Sequence, residues 1–292
     1  MKRTCLRSYV WFGLLALGFA SLQGCSFGSV TKNARRARAF YNIGVKQSNK
    51  RMYRQALASL KRAEEYDPNS YWIQEALGGT FLRMSRPQLA LKHYKKALAL
   101  QPKSPRGWNN VGTTYMVMKQ WKNAIVAYQS ALKNVLYQTP CFARINLAWC
   151  YHKVNDFKQS DKYFQLATSK CPRFCQGHRL HGLASYERKL YSRAAGAFDQ
   201  LTKRCKKFLP GFYHLGRTYF AAKRYQEARK PLLHCVEKSD KLPSLQASCR
   251  QIVTKLPRVR LSRKVPPANK ANNEPSNSFI YIKPVPSTPS KP

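Results

Sequence analysis

The chain has 292 residues, with 53 Lys+Arg against 12 Asp+Glu and a formal net charge of +41 at pH 7. So few carboxylates leave little material for paired-carboxylate catalysis or acidic metal cages. The charge instead selects anionic partners: nucleic acid, an anionic membrane surface, carboxylate-rich cell-wall polymer or an acidic protein.

At the start of the chain, Lys2, Arg3 and Arg7 precede an apolar run over residues 10–22, which is too short to span a bilayer comfortably. The run closes on Leu22-Gln23-Gly24-Cys25. This segment resembles a bacterial lipoprotein signal peptide, with residues 1–24 removed. The resemblance implies that Cys25 becomes the acylated first residue, held to a membrane by several acyl chains. Ser26 stands where such lipoproteins carry aspartate when they are retained at the inner membrane, so the resemblance points to the periplasmic face of the outer membrane. Export in turn argues against a nucleic-acid partner. Residues 25–33 read as the lipidated N-terminus and a short tether.

From residue 34 a single pattern repeats. Gly44, Gly78, Gly112, Gly182 and Gly216 recur at one phase, with Ala148 in the fourth place. Ala56, Ala90, Ala124, Ala194 and Ala228 recur twelve residues later, with Ser160 in the fourth place. The interval is 34 residues, except for one of 36 that marks an insertion in the third unit. This is the tetratricopeptide pattern, in which each unit is a pair of helices. Small residues let the two helices approach, and Phe40, Tyr94, Trp108, Tyr128, Phe164, Phe198 and Phe212 fill the space beside them. Pro68, Pro102 and Pro172 fall between units, where a missing amide donor does no harm. The expected fold is all-α: a tetratricopeptide superhelix of six units over residues 34–240. A capping helix over 241–256 follows, with Leu245, Cys249, Ile252, Val253 and Leu256 on one stripe.

Such arrays line an inner groove with one face of every first helix. Counting phases from the glycine frame gives Tyr41, Trp72, Leu82, Arg83, Arg106, Asn109, Met116, Phe142, Ile145, Trp149, His152, Lys153, Arg179, Tyr186, Tyr213, Arg217 and Phe220. This mixture of aromatic and basic side chains suits a peptide with apolar anchors and some negative charge. Packing between adjacent units is the alternative role for its aromatics.

Nothing in the chain has the layout of a catalytic site: there is no phosphate-cradling glycine loop, no nucleophile elbow and no His-Glu-x-x-His helix. No cofactor and no small-molecule substrate is expected. Cys171, Cys175, His178 and His181 have spacings open to three uses, namely a metal site, core packing or disulfides. Disulfides fit an oxidising compartment, because the cysteines beyond Cys25 cluster from residue 141 onward. Cys235 and Cys249 are the first pairing expected, the last second-helix against the cap. Cys205 is expected to pair with Cys171 or Cys175, and Cys150, inside a helix, to stay a buried thiol.

Residues 257–292 carry eight prolines and few apolar residues, the composition of a disordered basic tail. One β-prone island, Ser278-Phe279-Ile280-Tyr281-Ile282-Lys283, interrupts it and can serve either a partner's sheet edge or the array itself.

A lipobox followed closely by six tetratricopeptide units resembles the type IV pilus biogenesis lipoproteins, the pilotins of the pilus secretin. The local match lies in Trp108-Asn109-Asn110-Val111-Gly112-Thr113, in the insertion turn Leu136-Tyr137-Gln138-Thr139-Pro140, and in Asn146-Leu147-Ala148-Trp149-Cys150-Tyr151. The resemblance implies an anchored array that binds secretin subunits, or another periplasmic or outer-membrane protein, and assists their assembly. A scaffold for cell-wall enzymes needs the same anchor and groove and is the second expectation.

Overall fold

The structure is a computed structural model that describes residues 27–135 and 137–257, with side chains described from residue 32 onward. Cys25, Leu136 and the tail with its Phe279 to Tyr281 island lie outside the described residues. The described residues form thirteen α-helices and no strand. Helices α1 (Phe27–Asn49) and α2 (Tyr53–Tyr66) make the first antiparallel pair. Then come α3 (Tyr71–Arg83) with α4 (Pro87–Leu100), and α5 (Pro105–Val117) with α6 (Trp121–Leu132). The second half pairs α7 (Pro140–Lys153) with α8 (Phe157–Lys170), α9 (Cys175–Glu187) with α10 (Tyr191–Arg204), and α11 (Pro210–Ala221) with α12 (Tyr225–Lys238). A single helix, α13 (Pro243–Thr254), closes the array. This is the tetratricopeptide superhelix expected from the repeat, six units and a cap.

Local chemistry sets the helix boundaries. Proline occupies the first turn of α4, α5, α7, α11 and α13, where its missing amide would have had no acceptor anyway. Ser104 and Asp156 cap α5 and α8 by accepting the amides of Gly107 and Gln159, each at 3.1 Å. Between the two helices of every unit one residue adopts a left-handed backbone: Arg51, Ser85, Lys119, Asn155, Lys189 and Lys223, with φ between 57° and 64°. That conformation ends the first helix sharply, and none of the six is glycine.

The two helices of a unit meet through the glycine frame. Sixteen residues after each frame position stands a large side chain: Leu60, Tyr94, Tyr128, Phe164, Phe198 and Leu232, all at most 1% exposed. Five hydrophobic clusters follow one another along the chain, so that each unit is buried mainly by its neighbours. In the last cluster Cys249, Val253 and Leu256 from the cap cover Leu232 and Cys235.

Two expectations need correction. Helix α1 already runs from Phe27, so most of the stretch read as a tether, residues 25–33, is helical. Once the alanine- and arginine-rich turns at 34–40 are nucleated, each added residue gains a hydrogen bond at small cost. Of the disulfides, Cys235 with Cys249 and Cys205 with Cys175 are as expected, and the partner of Cys171 differs. The structure joins Cys141 to Cys171, Cys175 to Cys205 and Cys235 to Cys249, with Cα separations of 6.3, 6.1 and 6.2 Å. Cys171 therefore pairs with Cys141 and not with Cys205, for Cys171 and Cys205 are equivalent sites of successive units. In an antiparallel pair the start of the first helix lies beside the end of the second, so the bridge forms within a unit. Two consecutive units carry the same staple, each with a sequence separation of 30. Cys150 is a free, fully buried thiol.

Candidate functional site

The first helices of the units contribute the groove-facing side chains, and the structure divides the sequence-derived set into four groups. Some of its members belong to the core. Met116 is 2% exposed, beneath Tyr128, and Ile145 is fully buried; Tyr41, Asn109, Trp149 and His152 are buried as well. As groove-lining contacts five of these are corrected, while Tyr41 also lines the recess of the first half. An apolar helical stripe is at least 100° wide, so positions beside the glycine frame turn toward the neighbouring unit instead of the open face.

In the first half, Trp72 is exposed, with the Arg106 guanidinium 5.6 Å from its ring centre. Arg106 Nε lies 2.7 Å from Glu75 Oε1. The same Glu75 oxygen accepts from Asn110 Nδ2 at 2.9 Å, and burial pushes the Glu75 carboxyl up against the pull of Arg106. Arg83 donates to Ser48 Oγ at 2.7 Å, and Leu82 is half-buried beside it. Together Ser48, Glu75, Thr80, Arg83, Arg106 and Asn110 line a small recess that is open to solvent. Ser48, Glu75, Thr80 and Asn110 were missed in the sequence, although Glu75 stands out as the only acidic residue on α3.

In the middle, Phe142 is half-buried and packs edge-on against Phe174, with ring centres 4.6 Å apart. Lys153 Nζ sits 4.4 Å from the centre of the Trp149 ring and 2.8 Å from Glu187 Oε2. His152 Nε2 donates to that same oxygen at 2.8 Å, and this bond, with Lys153, holds the Glu187 carboxyl down at about 2.

In the last two units, Arg217 packs between two tyrosines, 4.4 Å from the Tyr186 ring centre and 5.5 Å from that of Tyr213. Arg179 is half-buried and donates from Nε to Gln176 Oε1 at 3.0 Å. Phe220 is half-buried against Tyr225. Beneath them His214 stacks on Phe198 at 5.2 Å, and burial, with the Arg217 and Arg179 charges, brings its imidazole down to about 3.

The Cys171, Cys175, His178 and His181 constellation is taken up by structure. Both cysteines are in disulfides, His178 Nε2 donates to the Pro172 carbonyl at 2.9 Å, and His181 stacks on Phe164 at 5.1 Å. Among the described residues no group of His, Cys, Asp and Glu is placed to hold a metal ion, and no helix is long and apolar enough to cross a membrane. What the site displays is aromatic faces and basic heads on the first helices of successive units.

This is a tetratricopeptide repeat protein. Tetratricopeptide models match residues 47–105, 75–138 and 143–172, and proteins of this architecture are protein-interaction modules. Among relatives, the chain is 28% identical over 127 residues to the type IV pilus assembly protein PilF of Pseudomonas aeruginosa, a match covering 44% of this chain and 50% of that protein. The matched region thus spans only half the length of that relative. The fold is similar to a crystal structure of PilW, described as a widely conserved type IV pilus biogenesis factor (TM-score 0.67, 16% identity, 74% of this chain and 98% of that one). It is also similar to a structure of Pseudomonas aeruginosa PilF (TM-score 0.63, 19% identity, 77% and 99%). A tetratricopeptide repeat protein from Parabacteroides merdae superimposes as well (TM-score 0.59, 16% identity, 76% and 88%). These structural similarities show a shared tetratricopeptide fold.

Proposed function

We propose that the chain is a pilotin: a lipoprotein anchored through Cys25 at the periplasmic face of the outer membrane, which binds secretin subunits of the type IV pilus in its groove and assists their assembly there. The observation that carries this reading is the similarity to a pilus assembly protein in sequence, combined with a fold alignment that spans nearly all of two pilus-protein structures. The groove supplies what such binding requires. Trp72, Tyr186 and Tyr213 offer large ring surfaces of low conformational entropy, and arginines beside them offer charge-assisted hydrogen bonds. An anchor at Cys25 keeps this surface near the membrane that an inserting ring must reach.

A deletion strain tests the reading directly. Secretin is extracted without heating and separated on gels, and the expected result is loss of the multimer, restored by the wild-type chain but not by Cys25→Ser. Normal multimers in the deletion strain would overturn the reading and move attention to a scaffold for cell-wall enzymes.

A further inference from the structure

In the groove, Arg106 and Lys153 meet carboxylates, whereas the arginines of the last two units meet none among the described residues. Arg106 on α5 meets Glu75 of α3, and Lys153 with His152 on α7 meets Glu187 of α9. Beyond that point the first helices offer no free carboxylate. Helix α9 has Glu187 alone, already engaged from α7, while α11 and α13 have none. On the outer helices Asp199 pairs with Lys203 and Glu227 with Arg224. Among the described residues, Arg179 and Arg217 have no carboxylate partner, and Arg217 Nε finds no acceptor.

The surroundings keep these two cations in place without neutralising them. Tyr186 and Tyr213 take the Arg217 guanidinium on their ring faces, an attraction that leaves its in-plane N–H donors unspent. Gln176 orients Arg179 through a neutral acceptor. His214, beneath both, is kept uncharged and so does not compete for an anion at neutral pH. A half-buried arginine pair without a counter-ion has lost hydration and gained no ion pair, so an incoming carboxylate forms stronger hydrogen bonds there than at an exposed lysine. The tyrosine rings at its side suit an apolar neighbour of that carboxylate.

We infer that Arg217, held between Tyr186 and Tyr213, and Arg179, which lies with it about His214, form a carboxylate-binding subsite that takes an Asp or Glu side chain of an extended partner segment and sets its register in the groove. The inference deepens the proposed function, since the segment is one presented by the groove's partner, but it can fail or stand separately.

An array of random 12-residue peptides, each printed beside its version with Asp and Glu replaced by Asn and Gln, is probed with the mature chain, and hits are titrated by fluorescence anisotropy. Overlapping secretin peptides form a second panel. The expected hits are acidic, with the amide versions binding about tenfold more weakly, the loss of roughly one charge-assisted hydrogen bond pair. Arg217→Gln and Arg179→Gln should lose the same factor and stop distinguishing acid from amide, while Arg217→Lys keeps part of the preference. Since acid and amide peptides are compared on one protein, the readout survives a variant that folds poorly. Equal binding of acid and amide by the wild type, or full acid preference in Arg217→Gln with Arg179→Gln, would overturn the subsite. Secretin peptides that bind without dependence on either arginine would sink this inference and leave the proposed function standing. Acid preference without any secretin hit would do the reverse. Peptide indifference together with arginine-dependent sedimentation on phosphatidylglycerol vesicles would reassign the pair to a lipid headgroup and overturn it too.

Discussion

Gly112 on α5 lies flat against the ring of Tyr128 on α6, so close that a Cβ at position 112 would stand 2.8 Å from Tyr128 Cε1. The ring cannot retreat: Tyr128 is fully buried and its hydroxyl is 3.1 Å from Thr113 Oγ1. Gly78 with Tyr94 and Gly182 with Phe198 repeat the contact. Gly112→Leu is therefore expected to destabilise the chain by about 1–3 kcal/mol through overpacking. Thermal unfolding by circular dichroism checks it, and a melting temperature equal to that of the wild type would contradict the packing described here.

The left-handed residue between helices offers the opposite change. Lys119 has φ 59° and an exposed side chain, so its β-carbon carries backbone strain and makes no compensating contact. Lys119→Gly should stabilise the fold by about 0.5–1 kcal/mol, the relief of strain less the added freedom of the unfolded chain. The measurement is the urea midpoint at constant m, and a lower midpoint would refute the expectation.

The two equivalent staples should carry comparable weight. Each closes a helix pair at a sequence separation of 30, so Cys141→Ser with Cys171→Ser, or Cys175→Ser with Cys205→Ser, is expected to cost about 2–4 kcal/mol. In a chain beginning at Ser26, Cys150 is the remaining thiol; it is fully buried, and burial pushes it up to about 12. A maleimide reagent should thus label nothing in the native state and one site after denaturation. Rapid native labelling, read by mass spectrometry, would show that a staple is open.

Acid should weaken the fold through its buried imidazoles. Burial brings His181 down to about 4 and His214 to about 3, from an ordinary value of 6.5. The unfolded chain then binds protons that the folded one refuses, so the stability these groups contribute is complete above pH 6.5 and falls as the pH drops toward 4. Each contributes a slope of up to about 1.4 kcal/mol per pH unit in that window. His93, stacked on Phe81, is shifted in the same direction by burial. Glu187 adds nothing until lower pH, since its carboxylate stabilises the fold above 4.5 and that contribution is lost as the pH falls toward 2. Urea midpoints at pH 7, 6, 5 and 4 follow the effect, and His214→Gln should flatten the profile; an identical slope in that variant would exclude His214 as a source.

The sequence by itself determined the repeat, because glycine, alanine and aromatic positions at a fixed period record a local requirement: two helices a few residues apart must touch. It determined the cap, the pairing region of Cys235 with Cys249 and the buried state of Cys150 for the same reason, since neighbours in the chain are neighbours in the stack. Tertiary structure decided which helical positions face the groove and which face the next unit, because one wide stripe serves both: Leu82 is half-buried while its counterpart Met116, 34 residues on, is buried. It likewise decided that Cys171 meets Cys141, by setting the end of one helix beside the start of its partner. The charge contrast along the groove was invisible in composition. Arg106 and Glu75 are 31 residues apart in sequence, and only the packing of α5 against α3 makes them a pair, while the same packing brings no carboxylate to Arg217.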